Sequence, residues 1–460
     1  MSMEVETEAD VEIPRSHFQD SGAEPCESDL TVSNHSSPVA TLSPEINDLV
    51  EQMVATDNMW KAYDRVCANK GAPGIDNRSV HDLKGYLKKH WVDIKRQLLE
   101  GSYQPSEVLR VEIPKADGGV RPLGIPTVLD RLIQQALHQV LSPIFEEEFS
   151  SNSFGYRPGK SAHDAVLTAQ AFQQEGYNFV VDMDLKSFFD EVNHDILIGL
   201  CRRRISETRI IRLIRSYLQS GIMIGGLCNI PLKGTPQGGP LSPLLSNIML
   251  NELDKELESR GHRFCRYADD CNIYVRTRRS GDRVLNSISR FVENRLKLKV
   301  NWKKSAVDYP SQRKFLGFSF TSDSLIRISN QAKKRFKIKV KELCHKGRGM
   351  NMEYFINHIL NPYLKGWFHY YKLADAKKQF FRDADQWIRH RLRSILWRQW
   401  KKPWTRFKKL MKFGIPEEQA AISAFNKRGA WFNSGSSHMN RALKVKWFQE
   451  NGLFSLLNKC

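Results

Sequence analysis

Two β-prone runs, Arg263 to Tyr267 and Cys271 to Val275, enclose Ala268, Asp269 and Asp270. The pattern predicts a hairpin with adjacent carboxylates at its tip. Neither Asp suits a strand, and side by side they repel, so local propensity gives no reason for them. A divalent cation would supply one. Taken alone the pair is a weak signal, because such pairs are also plain turn residues. It gains force from a third carboxylate elsewhere. Residues 178–185, Asn-Phe-Val-Val-Asp-Met-Asp-Leu, form an apolar strand ending in Asp184, with Asp182 two positions earlier on the same face.

The 460-residue chain is long enough for two to four domains with ample core. Its net charge is +19 and very unevenly spread. Met1 to Glu45 holds ten acids and a single arginine, whereas Ile326 to Cys460 holds 30 Lys/Arg and eight Asp/Glu. A basic C-terminal third interleaved with Trp and Tyr points to a polyanion, with a merely solvated basic surface as the bland alternative. The eight cysteines are scattered and form no C-x-x-C pair, so neither a zinc knuckle nor a disulfide framework is expected. No apolar run reaches about 18 residues and no signal-peptide core is present. A soluble, reduced, cytoplasmic protein with no membrane partner is expected.

Residues 1–42 read as an acidic disordered tail. Ser43 and Pro44 open an amphipathic helix, and residues 86–99 read as another. Val108 to Pro114 and Val120 to Ile125 then alternate as two strands around a Gly-rich turn. That ribbon would present Lys115 at its tip and Arg121 just past it, a spacing suited to a triphosphate. It reads equally well as an edge hairpin blunted by charge. Thr235-Pro236-Gln237-Gly238-Gly239-Pro240 precedes a helix running to about Arg260; its glycines either admit a close backbone approach or merely punctuate a loop. Phe315 to Phe320 reads as a strand. Past Ile326 the pattern becomes helical, with Asn361-Pro362 as a break in which Asn caps the following helix.

Three carboxylates drawn together cannot all stay ionised without cations between them. Hard oxygen ligands select Mg2+, and two such ions suit in-line displacement at phosphorus. At this point the motifs become specific. Phe-Val-Val-Asp-Met-Asp-Leu-Lys-Ser-Phe-Phe-Asp (179–190), Gly-Thr-Pro-Gln-Gly-Gly-Pro-Leu-Ser-Pro (234–243) and Arg-Tyr-Ala-Asp-Asp (266–270) resemble, in order and spacing, the palm motifs of reverse transcriptases. With Ile113-Pro114-Lys115, Arg121 to Pro126 and Ser153 to Pro158, the chain from about Ile46 onward resembles the proteins encoded by group II introns.

The resemblance implies an α+β right-hand polymerase, fingers and palm with an antiparallel sheet, followed by an all-α thumb or maturase domain. It divides the chain into an N-terminal extension and fingers (43–130), fingers and palm (131–325), a helical thumb (326–400) and a basic DNA-binding region (401–460). It makes Asp184, Asp269 and Asp270 the catalytic ligands of two Mg2+ ions, with Asp184 preferred to Asp182 because it precedes Leu-Lys-Ser-Phe-Phe. Phe189 would exclude a ribose 2′-hydroxyl, Lys115 and Arg121 would bind the dNTP triphosphate, and Gln237 and Gly238 would lie by the nascent pair. Lys304 resembles the lysine that protonates pyrophosphate, and Phe315 to Phe318 the strand that steadies a primer. Arg389, Arg393, Arg398, Lys401 and Lys402 are expected to reach phosphates.

Implied partners are the group II intron RNA, an RNA template with its DNA primer, dNTPs and target DNA. No HNH endonuclease is expected, because His438 stands without paired cysteines. Two other readings remain: a splicing-only RNA binder with a relic polymerase, and a reverse transcriptase domesticated for phage defence, CRISPR acquisition or diversity generation. Retention of all three carboxylates argues against the relic, and Phe189 argues against an RNA-dependent RNA polymerase.

Overall fold

The computed structural model describes residues 48–114, 120–224, 227–229, 233–235, 238–375 and 377–457. The acidic tail, the helix start at Ser43 and Pro44, Lys115 and Gln237 lie outside them, as does the side chain of Arg121. Residues 46–460 form one compact unit. Among the described residues, no helix is long and apolar enough to cross a membrane.

A four-stranded sheet organises the centre. Its strands are β3 (Phe179–Met183), β6 (Arg263–Tyr267), β7 (Asp270–Val275) and β8 (Ala306–Asp308), in the order β6-β7-β3-β8 with every pairing antiparallel. Strand alternation gives it two different faces. One face carries Val181, Met183, Phe264, Cys271 and Ile273 into a core shared with the Ser242–Ser259 helix and the N-terminal helices. The other carries Val180, Cys265 and Tyr274 into a second core, which runs on into the C-terminal helices through Phe318, Phe336 and Phe368.

A second sheet joins the predicted ribbon, β1 (Val108–Pro114) and β2 (Val120–Ile125), to a short pair of strands, β4 (Ile222–Ile224) and β5 (Leu227–Asn229). Three-residue strands are too short to leave a periodic signal. The ribbon register places Ile113 opposite Arg121.

Two expectations need correction. Phe315 to Phe320 is not one strand. Leu316 (φ 51°) and Gly317 (φ 83°) form a two-residue turn, Phe315 and Phe318 exchange backbone hydrogen bonds of 2.9 Å, and only Phe318–Phe320 (β9) continues, paired with Ile326–Ile328 (β10). The Tyr370 hydroxyl donates to the Leu316 carbonyl at 2.8 Å, clamping that turn to the Asn361–Tyr371 helix. Nor does Asn361 cap a new helix. The Phe355–Leu360 stretch is a π-helical turn that leads directly into Asn361–Tyr371, which relieves the ladder ahead of Pro362. The Asn361 side chain instead donates to the Gly452 carbonyl at 2.7 Å.

Candidate active site

The β6–β7 pairing sets Tyr267 opposite Asp270, so Ala268 and Asp269 form a two-residue turn. Ala268 adopts φ 57°, a left-handed conformation that costs a non-glycine residue about 1 kcal/mol and persists only under outside constraint. The constraint lies behind the hairpin. Arg266, fully buried, donates to the Ala268 carbonyl at 3.0 Å, to both oxygens of buried Asp254 at 2.7 and 2.6 Å, to Asn247 at 3.0 Å and to Ser153 at 2.8 Å. Burial pushes the Asp254 carboxyl up while the guanidinium pulls it down. The Ser153-Phe-Gly-Tyr-Arg157 loop closes this assembly. Ser153 bridges Arg266, and Gly155 lies so close to the turn backbone at Ala268 that any Cβ would collide with it.

The front of the hairpin is different. Asp182 on β3 faces Asn272 on β7, so Asp182, Asp184 and Asp270 share one side of the sheet. Asp270 records the crowding. Burial first, then the charges of Asp269, Asp182 and Asp184, push its carboxyl up to about 6. Asp184 lies just past β3, its N–H donating to the Ser305 hydroxyl at 3.0 Å. One of its oxygens accepts from Asn301 at 2.7 Å, and the other lies 3.8 Å from the Lys304 ammonium. Arg313 engages Asp182 through Nε at 2.9 Å and Nη2 at 2.6 Å. Burial raises the Asp182 carboxyl, Arg313 opposes that, and Asp184 adds to it.

Among the described residues, no three acidic, imidazole or thiol groups converge tightly enough to hold an ion as they stand. The donor chemistry nevertheless fits a hard divalent cation: four carboxylates act on one another, with Lys304, Arg313 and Lys314 near them. Asp184 meets Asn301 with one oxygen and Lys304 with the other.

The other predicted residues fall out as follows. Phe188 is core, and its neighbour Phe189 is half-buried with ring centroids 5.2 Å apart. The Phe189 carbonyl accepts from Thr235 N–H at 2.7 Å, which anchors the loop leading to Gly238. Gly238 (φ 120°) packs on β2, where a Cβ would meet the Gly124 carbonyl at 2.5 Å. Arg398, Lys401 and Lys402 are exposed, and Arg389 is half-buried. Arg393 corrects the expectation. It is 6% exposed and donates twice to the Leu443 carbonyl, at 3.1 and 3.0 Å, so it holds the C-terminal helices together and reaches no phosphate.

The reverse transcriptase (RNA-dependent DNA polymerase) family profile matches residues 113–320, and the group II intron maturase-specific domain profile matches 333–414. Protein YkfC of Escherichia coli K12 is 34% identical over 301 residues, 56% of this chain and 78% of its own. The group II intron-encoded protein LtrA of Lactococcus lactis is 29% identical over 363 residues, covering 64% of this chain and 59% of LtrA. The chain thus spans less than two thirds of LtrA's length. A solved telomerase from Candida albicans, in complex with a telomeric RNA fragment, gives a TM-score of 0.42 at 14% identity over 76% of this chain and 63% of that one. Carrying a reverse transcriptase domain followed by a maturase-specific domain, the chain belongs to the family of group II intron-encoded reverse transcriptases with maturase domains.

Proposed function

We propose that this protein copies RNA into DNA at the front of the β6–β7 hairpin and binds its own group II intron RNA to promote splicing and mobility. The observation that carries the catalytic half is the gathering of Asp182, Asp184 and Asp270 on one side of the sheet beside the turn that holds Asp269. Asp184, Asp269 and Asp270 would hold two Mg2+ ions, which when bound lower the pKa of a primer 3′-hydroxyl and neutralise the triphosphate.

The chain's own groups do the rest. Asn301 and Ser305 orient Asp184 from either side of its backbone. Lys304, beside Asp184, would give a proton to departing pyrophosphate. Half-buried Phe189 would reject a 2′-hydroxyl, and Gly238, with Gln237, would line the nascent pair. Lys115 and Arg121 on the ribbon would take the triphosphate. Arg389, Arg398, Lys401 and Lys402 would meet the phosphates of intron RNA or target DNA.

Primer extension on an RNA template with dNTPs and Mg2+ tests the reading. Asp269→Ala is expected to lower the rate by about 10³-fold, the equivalent of several kcal/mol of lost charge stabilisation. Equal extension by the variant would remove the assignment. For the maturase half, splicing of the cognate precursor at low magnesium should require the protein, and equal splicing without it would remove that half.

A further inference from the structure

Two aspartates of β3 and its exit, Asp182 and Asp184, point to one side of the sheet two residues apart, and each meets a different cation. Lys304 stands off Asp184 at 3.8 Å and its side chain is 65% exposed, a loose contact that an incoming ion can displace. Arg313 grips Asp182 with two donors on one oxygen, both side chains 25% exposed. The same Nη2 donates to the Lys304 carbonyl at 2.6 Å. Arg313 therefore ties three pieces together: β3, the 301–305 turn that holds Asp184, and the stretch entering the Phe315–Phe318 turn.

Resting on the catalytic reading above, we propose that Arg313 is a positioning residue that withdraws Asp182 from the cation site, leaving Asp184, Asp269 and Asp270 to face the metal, and that it fixes the 301–305 turn against β3. The division of labour follows from geometry and charge. A charge-assisted fork is directional and strong, so Asp182 is held on the protein side. Arg313 opposes its charge in part, so this side of the sheet carries less net negative charge than four carboxylates alone would give. Lose Arg313, and Asp182 becomes a competing carboxylate beside Asp184. Lose Asp182, and Arg313 becomes an uncompensated cation that repels magnesium.

The test uses the full chain on an RNA template with a chain-terminated DNA primer and dNTP, so that nothing turns over, with bound Mn2+ counted by electron paramagnetic resonance. Arg313→Gln should tighten Mn2+ binding about threefold, Asp182→Asn should weaken it about threefold, and the double variant should return within about twofold of the parent. Asp184→Asn should weaken binding about tenfold or more, with no rescue by Arg313→Gln. Single-turnover extension with a normal primer should slow about tenfold in Arg313→Gln even at saturating Mg2+, because the turn is released.

Urea unfolding midpoints within the parent's range show that the variants fold; should Arg313→Gln not fold, Arg313→Lys, which keeps the charge without the fork, takes its place and should slow extension while leaving Mn2+ binding near the parent's. Asp182→Asn behaving like Asp184→Asn, or no reciprocity between the two single variants, would overturn the proposal. Absence of extension in the parent would overturn the catalytic reading instead, and the Mn2+ pattern would still be read separately.

Discussion

The β6–β7 hairpin separates two groups of charge, one buried and one open to solvent, that obey opposite rules. Behind it, Asp254 and Arg266 are wholly enclosed, and each donor and acceptor is met by a neighbour of matching shape. In front, Asp182, Asp184, Asp269 and Asp270 are gathered with too few cations, and the cost appears in the Asp270 carboxyl. A balanced buried pair fixes a conformation, here the left-handed Ala268. An unbalanced cluster stores an affinity for something the chain does not itself contain.

The largest effect should come from unbalancing the back. Asp254→Ala strands the Arg266 guanidinium without its partner and should cost about 3–5 kcal/mol, read as a lowered urea midpoint. A small shift would mean that water enters behind the hairpin and that the two sides are not so different.

Next come the neighbouring rings, Phe188 buried in the core and Phe189 half-buried against it. Phe189→Ala should raise incorporation of ribonucleotides relative to deoxynucleotides by about 10- to 100-fold, measured as the ratio of kcat/KM values. Phe188→Ala should lower stability without changing that ratio.

The smallest effect sharpens the front. Asp270 titrates near 6 in the fold, against about 3.9 in an unfolded chain. A carboxyl raised by folding contributes stability below the unfolded value and loses it as pH rises through the folded one. With a chelator present, stability should therefore drop by about 1 kcal/mol from this group between about pH 4 and 6, discounted for its contact with solvent. Asp270→Asn should abolish that drop. Its persistence in the variant would move the repulsion elsewhere.

The front was largely legible from sequence and the back was not. Asp184, Asp269 and Asp270 stand at ends of β-prone runs where carboxylates fit poorly, and that misfit is itself a signal. Arg266 looks like an ordinary strand residue until the fold brings Asp254, Asn247 and Ser153 around it. Arg313 meets Asp182 across 131 residues of chain, so no local pattern could pair them. Arg393 misled for the converse reason: one arginine among many on a basic helix gives no hint that its acceptor, the Leu443 carbonyl, lies 50 residues on. The turn at Leu316 and Gly317 was hidden because its flanking phenylalanines fit a continuous strand.

Away from its carboxylate end, the central sheet is covered on both sides. Val181 and Ile273 press on the N-terminal helices, while Val180 and Tyr274, turned the other way, press on Phe318 and the helices that follow. The reverse transcriptase and maturase-specific domains thus share a wall. Cutting the chain near residue 325 would remove Ile326, Phe336 and Phe368 from that second core and open part of it to water.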